Sequence, residues 1–130
     1  MIMQPGWNRR VRPRTRPTPG QMGALEQKYN DFLEVELQAG RIVKYRFEGI
    51  KLKLGPNTFY TPDFVITKVE QIELHEVKGF WEDDARVKTK LAAALFPEFC
   101  FVGVRLEKRP EDKQIRGAPK HWVFEEFPAC

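Results

Sequence analysis

The chain has 130 residues, 42% of them hydrophobic and 31% charged, with a net charge of +4. That length suits one domain with its own core, and the balance excludes a chain that is disordered throughout. No run approaches the ~18 apolar residues of a membrane helix, the start Met1-Ile2-Met3-Gln4-Pro5 lacks the apolar core of a signal peptide, and Cys100 and Cys130 suit neither a disulfide framework nor a zinc site, so a soluble cytoplasmic protein with Cys100 in its core is expected.

Residues 1–20 hold Arg9, Arg10, Arg12, Arg14 and Arg16 and no acid, which leaves the rest of the chain close to neutral. Pro5, Pro13, Pro17 and Pro19 bar a regular helix there. The segment reads as a basic flexible arm, suited to phosphates because arginine contacts release counterions, or else as a plain solvated tail. Residues 21–130 read as one domain.

Across 22–39, Leu25, Tyr29, Phe32, Leu33 and Leu37 recur every three or four residues, which predicts an amphipathic helix that Gly40 ends. Glu26 sits near its start, where the helix dipole favours an acid. Val43, Tyr45 and Phe47 alternate with Lys44 and Arg46 as a strand over 41–47, and Ile50, Leu52 and Leu54 repeat that pattern more weakly. Gly55-Pro56-Asn57 is a turn signal. Pro62 is tolerated only at a strand edge, start or bulge, so a second clear strand begins at Asp63 and a third covers 71–78.

Glu82-Asp83-Asp84 opens a second helix, with Val87, Leu91, Ala94 and Leu95 as its apolar stripe and Pro97 as its stop. Residues 99–106 are apolar nearly throughout and predict a strand buried on both faces. A polar loop over 107–120 precedes a short strand from Trp122 to Phe127. Three strands, a helix crossover and a further strand imply an α/β fold with a mixed central sheet flanked by helices.

Strand side chains alternate, so Ile72, Leu74, Glu76 and Lys78 share a face that turns abruptly from apolar to charged. Charges on a buried face are costly unless they serve a site. A hairpin would set Asp63, at the head of the preceding strand, beside Glu76. Adjacent carboxylates repel unless a cation lies between them, and hard oxygen ligands suit Mg²⁺, with Mn²⁺ able to substitute. The backbone carbonyl of Val77 offers a further ligand. Lys78 would stand near an attacking water, to orient it or to neutralise a pentavalent phosphate. These parts suit phosphodiester hydrolysis. The bland alternatives are a surface ion pair for Glu76 and Lys78 and a turn or cap role for Asp63.

Pro62-Asp63 followed by Glu76-Val77-Lys78 resembles the signature of the PD-(D/E)XK nuclease superfamily, over roughly residues 20–106. The context Tyr60-Thr61-Pro62-Asp63-Phe64 with Glu76-Val77-Lys78-Gly79-Phe80-Trp81 looks like small phage-encoded members, including endonucleases of the Holliday junction-resolving type. The resemblance implies the restriction-endonuclease-like α-β-β-β-α-β core. It also implies a Mg²⁺-dependent endonuclease, selective for branched or junction DNA, acting in recombination inside a bacterial host. Asp63, Glu76 and Lys78 would be catalytic, joined by Glu26 as the first-helix acid that reaches the metal. Arg86, Lys88 and Lys90 on the second helix are candidate DNA contacts, although lysines on a helix commonly form only a solvated face. A symmetric cut of two strands favours a homodimer. The alternatives are a nicking, packaging or repair nuclease, and a catalytically silent DNA-binding subunit.

Overall fold

A computed structural model describes residues 20–80 and 83–128. The first helix, α1, spans Ala24–Gln38 and buries Tyr29 and Leu33. Its end is the expected one: Gly40 adopts φ 77°, a left-handed conformation that costs glycine little, and its N–H donates to the Leu37 carbonyl.

Strand β1 (Lys44–Phe47) pairs antiparallel with β4 (Phe64–Thr67), from Lys44 opposite Thr67 to Phe47 opposite Phe64. Between them, β2 (Leu52–Gly55) and β3 (Thr58–Tyr60) form a separate two-stranded hairpin, turned at Asn57 with φ 51°. The residue pattern marks the turn but not a hairpin set apart from the main sheet. Pro62, without an N–H to donate, separates β3 from β4.

Strand β4 pairs antiparallel with β5 (Ile72–Val77), with Phe64 opposite His75. Helix α2 (Asp83–Leu95) then crosses over and delivers β6 (Cys100–Lys108) parallel to β5, with Glu76 opposite Gly103. Strand β7 (Lys120–Phe127) returns antiparallel to β6 and is longer than expected, because Lys120 and His121 still pair with Lys108 and Glu107. The result is an α/β fold with a mixed five-stranded sheet in the order β1-β4-β5-β6-β7. Among the described residues, no helix is long and apolar enough to cross a membrane.

Each face of the sheet carries its own core. On the α1 side, Tyr29, Leu33 and Ile42 pack on Phe64, Ile66, Val77, Val102 and Val104. On the other side, Ala92 and Ala93 of α2 and Leu52 and Tyr60 of the hairpin pack on Leu74 and Phe101. The start of β6 is buried on both faces, as its composition predicts. Cys100 is buried as expected.

The second helix corrects the sequence reading. Its expected stripe faces outward: Val87, Leu91 and Leu95 are 64%, 46% and 47% exposed, and Ala94 is exposed too. Thr89, Ala92 and Ala93 face inward instead. Leu74 and Phe101 already fill the space above the sheet, and small side chains let the helix settle over them.

Phe64 is fully buried and its ring meets those of Tyr29, Tyr45 and Phe47. Phe64→Ala should therefore cost about 3–5 kcal/mol in urea unfolding. Val87→Gln should stay within about 0.5 kcal/mol of wild type. A large loss for Val87→Gln would contradict the outward orientation of that stripe.

Candidate active site

The antiparallel β4–β5 pair brings the head of one strand to the tail of the other. Asp63 precedes β4, and its Oδ2 accepts a hydrogen bond from the Val77 backbone N–H at 2.8 Å. Glu76, the adjacent residue on β5, is only 8% exposed. Its Oε1 lies 3.3 Å from the Lys78 Nζ, and its Oε2 accepts the Tyr60 hydroxyl at 3.1 Å. The three residues singled out from sequence are thus gathered at one end of β5, and Val77, whose carbonyl was the suggested further ligand, lies between two of them in the chain.

Burial raises the Asp63 carboxyl to about 8, with help from the neighbouring Glu76 charge and against the Val77 N–H. Burial also raises Glu76, against the favourable effects of Lys78 and Tyr60. Two partly desolvated carboxylates in electrostatic contact cannot both ionise cheaply. They form an oxygen-rich site in which burial favours the protonated form of each acid.

Glu26 approaches the same place. The first turn of α1 abuts the end of β5, where Leu25 lies beside Gly79, and the Glu26 charge adds to the upward pressure on Asp63. The Glu26 Oε2 accepts the Gly23 backbone N–H, so this acid also caps its helix. Among the described residues, no cluster of three or more His, Cys, Asp or Glu is arranged to hold a metal. Two carboxylates with a backbone carbonyl nonetheless match the sparse protein ligation usual for Mg²⁺, which keeps several waters.

The candidate DNA contacts divide. Arg9, Arg10, Arg12, Arg14 and Arg16 lie outside the described residues. Arg86 is half-buried and its guanidinium lies 2.7 Å from Glu125 on β7, where it ties α2 to the sheet. Lys88 and Lys90 are exposed on α2.

Sequence reasoning passes over two features. One is Tyr60, whose ring is buried and whose hydroxyl reaches Glu76. The tyrosine stands three residues before Asp63, but no periodicity marks it. The other is a relay on the α1 face. The Tyr29 hydroxyl meets His75 Nδ1 at 2.6 Å, His75 Nε2 meets Glu73 Oε1 at 2.8 Å, and Lys68 Nζ lies 2.9 Å from Glu73 Oε2. Because the Glu73 carboxylate only accepts, His75 carries its proton on Nε2 and Tyr29 donates to Nδ1. Burial opposes the Glu73 charge, but the bonds from His75 and Lys68 together hold its pKa at about 2, and burial lowers the His75 pKa and keeps the ring neutral.

Between the ordinary Asp63 value of 3.8 and its folded value of about 8, the folded protein holds a proton that the unfolded chain has released. Stability therefore falls as pH rises through that window. Asp63→Asn keeps an acceptor for the Val77 N–H but cannot ionise. With chelator present, the variant should melt above wild type at pH 8.5, and the gap should close towards pH 4. A stabilisation of ~1 kcal/mol corresponds to roughly 4 °C for a domain of this size. Parallel pH profiles would show that Asp63 is not perturbed.

No family model matches the chain, and neither a curated protein nor a solved structure matches it.

Proposed function

We propose that this protein is a Mg²⁺-dependent endonuclease that hydrolyses DNA phosphodiester bonds. The observation that carries the reading is the meeting of Asp63, Glu76 and Lys78 at one end of β5, with both acids driven towards protonation by burial. Such a pair gains from a divalent cation far more than an exposed pair would. The order α1, β1, β4, β5, α2, β6, with the β2–β3 hairpin as an insertion, supports a restriction-endonuclease-like core.

In this reading Asp63, Glu76 and the Val77 carbonyl would hold the metal, and Glu26, whose charge bears on Asp63, would support them. Bound Mg²⁺ would supply Lewis acidity towards a phosphoryl oxygen and lower the pKa of a coordinated water. The Lys78 side chain is 38% exposed while its Nζ stays by Glu76, so the ammonium would be within reach of a phosphate that came to the site. There it offsets the negative charge that builds on the phosphoryl oxygens as water adds and the P–O bond breaks. Burial around the carboxylates strengthens that attraction. DNA is favoured as substrate by the exposed Lys88 and Lys90 on the helix that follows the site and by the arginine-rich arm. Selectivity for branched DNA, and a homodimer to cut it symmetrically, belong to the same proposal.

The test is cleavage of plasmid, linear duplex, single-stranded and four-way-junction DNA with Mg²⁺. Wild type should cut at least one substrate. Asp63→Ala and Glu76→Gln should abolish cutting, and Lys78→Ala should slow it ~10²–10³-fold. Survival of every substrate with wild type sinks the proposal, and full activity of Asp63→Ala relocates the site. Deleting residues 1–18 should weaken DNA binding and flatten its salt dependence by roughly 0.9 in log–log slope for each phosphate that the arm neutralises. An unchanged slope would reduce the arm to a tail.

A further inference from the structure

The β2–β3 hairpin joins no strand of the main sheet, yet it packs firmly on it. Its two faces differ. In register, Leu52 opposes Tyr60 and Lys53 opposes Phe59. Leu52 and Tyr60 are buried against Leu74, Phe101 and the alanines of α2, while Lys51, Lys53 and Phe59 face outward. The inner face would be satisfied by an apolar side chain at position 60. It carries instead a phenol whose hydroxyl crosses to Glu76 Oε2 at 3.1 Å.

Burying a hydroxyl without a partner costs free energy, so the direction of this O–H is set by what surrounds it. Thr89 Oγ1 of α2 lies beside the phenol but, among the described residues, makes no hydrogen bond of normal geometry. Glu76 is thus the acceptor. The carboxylate is held at both oxygens, by Tyr60 at Oε2 and by Lys78 at Oε1. A hydrogen-bonded carboxylate presents its remaining lone pairs in fixed directions, and partners of this kind orient metal ligands.

We propose that Tyr60 is a positioning residue, which fixes the Glu76 carboxylate in the orientation that receives the divalent cation, and that the β2–β3 hairpin exists to deliver it. This rests on the reading of Glu76 as a metal ligand. Phenylalanine at position 60 would keep the ring and its packing and remove only the bond.

The experiment compares wild type with Tyr60→Phe by titration calorimetry with Mn²⁺, in the absence of DNA, alongside melting with chelator. Metal affinity should fall roughly 10–100-fold, while the metal-free melting temperature stays near that of wild type. In cleavage assays the variant should need more Mg²⁺ for half-maximal rate and recover much of its rate at saturating metal. Mn²⁺ affinity within twofold of wild type overturns the positioning role, as does a lowered melting temperature with unchanged affinity, which marks Tyr60 as packing alone. Wild type that takes up no Mn²⁺ overturns the metal-dependent reading itself, a result distinct from a difference, or its absence, between the two proteins.

Discussion

The centre of this molecule is a repulsion. Asp63 and Glu76 are brought together by a strand pairing that the core cannot do without, since Phe64 and Ile66 on β4 and Leu74 on β5 are all buried by it. The fold gains its apolar packing and accepts two crowded carboxylates as the cost. What tempers the crowding is local: the Val77 N–H for Asp63, the Tyr60 hydroxyl and the Lys78 ammonium for Glu76. None of these relieves the crowding fully, and both carboxyls stay pushed towards protonation.

The opposite face of β5 follows another logic. Glu73 and His75 are also buried, but their charge and hydrogen bonds are closed within the Tyr29–His75–Glu73–Lys68 chain. Buried polar groups that satisfy one another specify a unique arrangement more than they offer chemistry. One strand therefore bears a closed polar chain on the α1 side and a crowded carboxylate pair on the α2 side.

Much of this is legible in the sequence. The stripe from Leu25 to Leu37 and the stop at Gly40 place α1, because helix periodicity and a left-handed C-terminal residue are local signals. The alternation of Leu74 and Glu76 places the charged end of β5 on a buried face, although Ile72, which the pattern counts with them, is exposed. The second helix misleads because periodicity tells which residues align, not which side meets the sheet, and Ala92 and Ala93 win through close approach over Phe101. The hairpin escapes because its strands are short and weakly patterned, and Tyr60 escapes with it. The bond from Tyr60 to Glu76 joins residues that only the folded sheet makes neighbours. Glu26 lies between: periodicity places it at the helix start, while its influence on Asp63 is expected only through the resemblance of the surrounding motif.

The register of β5 is written twice. A slip of one residue against β4 would turn every side chain to the opposite face. His75 would then point towards Tyr60, and Glu76 towards Tyr29, so the relay and the carboxylate pair would fail at once. Leu74 would leave its place against Phe101 in the same movement. Misregistered molecules would thus lose packing, polar satisfaction and the candidate site together. The strand acts as its own check on assembly: a chain that holds together well enough to persist has also aligned its chemistry.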